Sequence, residues 1–117
     1  MPWEVEFTDE FEEWWNALRE DEQESVDTSV GLLEAHGPTL RFPHSSDVRG
    51  SRYGQMRELR LQHDGRPLRV FYAFNPKRTA LLLLGGDKTG NDRFYEEMIP
   101  RVDAIYAKHL EELQDKK

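Results

Sequence analysis

Three strand-like runs separated by two short, turn-rich linkers constrain this chain more than any other feature. Residues 55–62, 68–74 and 79–84 are joined by His63-Asp64-Gly65-Arg66-Pro67 and Asn75-Pro76-Lys77-Arg78. Such linkers cannot hold the long crossover that parallel neighbours need, so the runs are expected to be consecutive antiparallel strands. The register of the first pair follows. With Asp64-Gly65 at the centre of the turn, Leu61 faces Leu68, Leu59 faces Val70 and Arg60 faces Arg69. Leu59, Leu61, Leu68, Val70 and Tyr72 then share a core face, and the two arginines leave from the other.

Ahead of these strands, Trp3, Val5 and Phe7 alternate with Glu4 and Glu6, which predicts a strand over residues 2–7. Thr8 or Asp9 can cap a helix over residues 9–20, with Glu12 placed for a capping box on Asp9. A second helix is expected over 22–36, with Val26, Val30 and Leu33 on one side and Gly37-Pro38 as its stop. Residues 39–55 are expected to connect. Gly85 and Gly86 are expected to break the last strand. Asn91 or Asp92 then caps a final helix with Val102, Ile105 or Tyr106, His109 or Leu110, and Leu113 at helical spacing, kinked or divided at Pro100. The order β-α-α-β-β-β-α over residues 1–117 predicts one α/β (α+β) domain. It has two N-terminal helices and a C-terminal helix around a twisted, mostly antiparallel, four-stranded sheet.

Composition excludes several classes. There is no cysteine, so disulfides and thiolate metal sites are absent. His36, His44, His63 and His109 show no metal-ligand spacing, so neither a metal nor a cofactor is expected. Gly85-Gly86-Asp87-Lys88-Thr89-Gly90 lacks the spacing of a phosphate-binding loop, and no GxGxxG occurs. No apolar run approaches a membrane span, and the first residues do not resemble a secretion signal. A cytoplasmic location without membrane contact is therefore expected.

The net charge is −7, but it is unevenly spread. Residues 1–34 hold 12 acids and one base, whereas residues 35–95 hold 11 bases and 5 acids. The basic stretch coincides with the hairpins. Two arginines directly opposed on adjacent strands repel; they are either solvated surface, paired with acidic residues elsewhere, or an anion site. Guanidinium forks match phosphate oxygens and stay charged at any relevant pH. Lys88, beyond the last strand, can join as a charge stabiliser or a base, and Glu58 can offset part of the repulsion. Tyr53 and Tyr95 are either ordinary packed tyrosines or groups that stack on bases or donate protons, and Arg93 either binds phosphate or covers a helix end.

The ordered set Met56-Arg57-Glu58-Leu59-Arg60, Leu68-Arg69-Val70-Phe71-Tyr72-Ala73-Phe74, and Leu81 to Leu84 running into Lys88-Thr89 resembles the RelE/ParE toxin superfamily, most closely its HigB-type branch. The resemblance covers nearly the whole chain. It implies a RelE-like fold and the toxin of a type II toxin–antitoxin system. It further implies a metal-independent, ribosome-dependent endonuclease that cuts mRNA and inhibits translation. The implied partners are the ribosome, mRNA and a cognate antitoxin, usually of helix-turn-helix type. Carried onto this chain, it implies Arg69 for phosphate stabilisation, Arg60 for substrate positioning, and Lys88 for phosphate contact or proton transfer. Tyr53, Arg57, Arg93 and Tyr95 are the accompanying RNA-binding candidates. The family also contains gyrase poisons, and a non-catalytic binding or regulatory member is a further alternative. Two departures stand out: the chain is acidic overall, and Gly85-Gly86-Asp87 replaces an aromatic-then-basic run.

Overall fold

A computed structural model describes residues 2–115. Five strands form one sheet in the order β1-β5-β4-β3-β2. They are β1 (Val5–Phe7), β2 (Ser45–Asp47), β3 (Arg57–His63), β4 (Arg66–Phe74) and β5 (Ala80–Asp87). Helices α1 (Asp9–Asn16) and α2 (Glu20–His36) precede the main hairpins, and α3 (Phe94–Asp115) follows them. The three long strands are antiparallel neighbours, as the linkers require, and β1 pairs in parallel with β5.

The sheet is one strand larger than expected. The extra strand, Ser-Ser-Asp at β2, pairs antiparallel with β3 through Ser45–Leu59 and Asp47–Arg57. Three polar residues carry no alternation, so only tertiary pairing reveals them as a strand.

Strand alternation buries both faces. Leu59, Leu61, Leu68, Val70, Tyr72, Ala80 and Leu82 meet Phe11 of α1 and Val26 and Leu33 of α2. Phe71, Ala73, Leu81, Leu83 and Leu84 meet Phe94, Met98, Val102 and Tyr106 of α3. Helices on both faces make three layers with two cores. Each fully buried Leu or Phe is worth about 1.5–3 kcal/mol of transfer free energy, so both cores contribute to holding the sheet.

Several local expectations are resolved or corrected. Thr8 is the cap of α1, its hydroxyl accepting from the Phe11 N–H at 3.0 Å. The carboxylate that reaches back to a helix start is Glu22, which accepts from the Arg19 N–H at 2.8 Å. Gly85 and Gly86 continue β5 instead of ending it. Their role is close approach: a Cβ at Gly85 would lie 2.4 Å from the Trp14 ring, and one at Gly86 2.9 Å from Phe94. Pro100 does not divide α3, which is one continuous helix of 22 residues. Asn91 organises the turn ahead of it, accepting from the Arg93 N–H at 3.0 Å.

Candidate functional site

Arg60 and Arg69 are directly opposed on β3 and β4, as the turn register predicts. Both leave the sheet on the α3 face, away from Leu59, Leu61 and Val70. Between them sits Glu58, two residues from Arg60 on the same face. Its carboxylate lies 3.4 Å from Arg60 Nη1 and 3.7 Å from Arg69 Nε. It also accepts from the Tyr95 hydroxyl at 2.8 Å and the Ser46 hydroxyl at 3.0 Å. On one Coulomb scale, two attractions from the arginines to a single close carboxylate outweigh the one repulsion between the arginines. Glu58 therefore makes the arginine pair tolerable and leaves one net positive charge.

The two arginines differ in access. Arg69 is 4% exposed, which rules out the solvated-surface reading for this arginine. Phe94 and Tyr95 at the start of α3 stack near Phe71 on this face. Arg69 Nη1 donates to the Leu68 carbonyl at 3.0 Å. The Arg60 side chain is 28% exposed. Lys88 Nζ lies 5.4 Å from the centre of the Tyr95 ring, within cation–π range. Burial, and then the hydrogen bond to Glu58, push the Tyr95 phenol above its usual range. It therefore acts as a donor near neutral pH. An open cleft of about 540 Å³ adjoins it, lined by Pro67, Lys88, Thr89, Asn91 and Tyr95 among others.

The structure thus gathers Arg60, Arg69, Lys88 and Tyr95. It separates the remaining candidates. Arg57 shares the face of Leu59 and Leu61, where its guanidinium engages Asp47, Ser45 and the Leu40 carbonyl. Strand parity with Leu59 carries that placement in the sequence itself. Tyr53 packs edge-on against Tyr106 at 4.8 Å, within the α3 core. Arg93 is exposed and pairs with Glu96 at 3.1 Å. Glu58 as the hub, with Ser46 and Tyr95 as its donors, is what sequence reasoning understated.

Among the described residues, one group has metal-ligand character: Asp21, His63 and Asp64, on the opposite sheet face. Arg19 lies 3.2 Å from Asp21 and 4.0 Å from Asp64, so a cationic side chain already counters these acids. No described helix is long and apolar enough to cross a membrane.

Three helices around a mostly antiparallel sheet define a RelE-like α+β protein. The free state of a double arginine-to-alanine mutant of the E. coli toxin RelE superposes with a TM-score of 0.60 at 13% identity, covering 80% of this chain and 92% of that one. The RelE–RelB complex of Pyrococcus horikoshii OT3 gives 0.56 at 17% identity, covering 77% and 99%. The model of the family described as phage derived protein Gp49-like matches residues 13–107. Two Mycobacterium tuberculosis proteins, described as candidate toxins, are similar in sequence. HigB2 is 39% identical over 106 residues, 89% of this chain and 53% of HigB2. HigB3 is 45% identical over 93 residues, 79% of this chain and 80% of HigB3. The chain spans about half the length of HigB2. It belongs to the phage-derived Gp49-like family, within the RelE/HigB toxin superfamily.

Proposed function

We propose that this protein is the toxin of a type II toxin–antitoxin pair and cuts mRNA on translating ribosomes in the cytoplasm. The observation that carries the proposal is the opposed Arg60–Arg69 pair on rigid strands, completed by Lys88 and Tyr95. In the proposed reaction the ribose 2′-hydroxyl attacks the adjacent phosphate and gives up its proton to solvent, the bond to the 5′ oxygen breaks as that oxygen takes up a proton, and negative charge grows on the phosphoryl oxygens. Preorganised cations stabilise that charge without reorganising. Arg60 and Lys88 are the more accessible cations and contact the phosphate. Arg69, buried beneath and within 3.7 Å of the Glu58 carboxylate, supplies positive potential; it is a positioning residue, in place of the phosphate stabilisation that the resemblance implies. The partner is an antitoxin, of helix-turn-helix type in this proposal. The similarity to proteins named as HigB toxins and the fold shared with the RelE–RelB complex support that reading.

The test is induced expression in a bacterial host with 5′-end mapping of transcripts. Growth arrest with new ends inside translated reading frames is expected, relieved by co-expressing the neighbouring small protein. Arrest with intact transcripts and a DNA-damage response would instead identify a gyrase poison.

A further inference from the structure

Two large apolar side chains stand exposed among the described residues, Phe7 and Phe42. They sit at opposite edges of the sheet: Phe7 in β1, Phe42 just ahead of β2. Phe42 is 70% exposed, yet its backbone neighbourhood is fixed. Leu40 and Ser45 on either side are buried. The Arg60 N–H donates to the His44 carbonyl at 2.9 Å, and the His44 and Ser45 N–H groups both donate to the Arg41 carbonyl. The ring is therefore presented on a held loop. The Arg60 guanidinium carbon lies 5.2 Å from its centroid, which ties the ring directly to the cationic site.

We propose that Phe42 is a stacking platform for a nucleobase of single-stranded RNA whose phosphate lies at Arg60; this rests on the RNA-cleaving reading above. Charge favours this occupant. Arg41 adjoins the ring in sequence and is exposed, and the Arg60 guanidinium sits against that ring. An exposed π face with the Arg60 guanidinium against it, next to Arg41 in the chain, fits a base on a polyanionic strand better than an apolar protein segment. Bases within a duplex are stacked on each other, so the free face selects single strands. Arg60 would bridge the two functions, one part of its guanidinium against Phe42 and its N–H donors toward phosphate.

The test uses the full chain and a short, 5′-fluorescein-labelled, single-stranded oligoribonucleotide, followed by anisotropy. Loss of one base–aromatic stack is expected to weaken binding roughly 5- to 150-fold in Phe42→Ala. Phe42→Trp should bind like the wild type and add tryptophan emission that the RNA quenches. A thermal melt of each variant checks folding. Wild-type RNA binding by a folded Phe42→Ala protein overturns the platform and leaves the proposed function standing. So does a variant that loses antitoxin binding while RNA binding is unchanged. A wild-type protein that neither binds the oligoribonucleotide nor cuts translated message overturns both.

Discussion

Replacing Arg69 by Met removes a cation from beside Glu58, which is 3% exposed. Breaking a buried ion pair from one side costs about 3–5 kcal/mol, because the other charge is left without its partner. Glu58 keeps Arg60, Ser46 and Tyr95 as neighbours, so the low end, about 3 kcal/mol, is expected. A domain of 117 residues unfolds with an entropy of about 0.25 kcal/mol per degree, at about 2.1 cal/mol/K per residue. Arg69→Met should therefore lower Tm by about 12 °C. Adding Glu58→Gln removes the stranded charge, and the double variant should be more stable than Arg69→Met alone, while message cleavage stays lost. Thermal and urea melts of the wild type, both single variants and the double variant complete the cycle. Additive losses, or an Arg69→Met melt within about 2 °C of wild type, would refute the idea that this pair is a coupled buried element.

Three further outcomes follow from particular contacts. Gly85→Ala pushes a methyl group to within 2.4 Å of the Trp14 ring; a loss of about 1–3 kcal/mol is expected from such overpacking, and an unchanged denaturation midpoint would contradict the close approach. The Tyr95 phenol is held above its usual value of 10.0 by burial and by Glu58, so its contribution is complete below pH 10 and fades as pH rises through the folded value. The difference at 295 nm between wild type and Tyr95→Phe should titrate above pH 10, and a midpoint at or below 10 would count against it. The Arg66 hydrogen bond, with the Arg19 N–H, holds the Glu22 carboxyl below 4.5; its contribution is present above pH 4.5 and is lost as pH falls below it, so Glu22→Gln should flatten the acid limb of stability, and an unchanged limb would argue against this pairing.

Much of the fold was legible because linker length and strand parity act locally. Asp64-Gly65 set the register that placed Arg60 opposite Arg69, and Val26, Val30 and Leu33 marked the inner side of α2. What escaped notice depends on partners far away in sequence. Ser45–Asp47 is a strand only because β3 offers it an edge. Gly85 and Gly86 look like breakers until Trp14 and Phe94 are seen filling the space above them. The site divides along the same line. Opposition of the arginines was readable, whereas the burial of Arg69 follows from where the start of α3 lands. Arg57 is different: its parity with Leu59 and Leu61 already put it on the far face.

The proposed function requires that this sheet present cations preorganised to cleave message during translation. The most direct measurement is primer extension on a defined message in a reconstituted translation system, with and without the start codon, using wild type, Arg60→Ala and Lys88→Ala. Discrete cuts by the wild type are expected only when the message is translated, with a roughly 10²–10³-fold slower rate for Arg60→Ala in a protein that still melts cooperatively. Full-length message from the wild type, or wild-type rates from both folded variants, would contradict it.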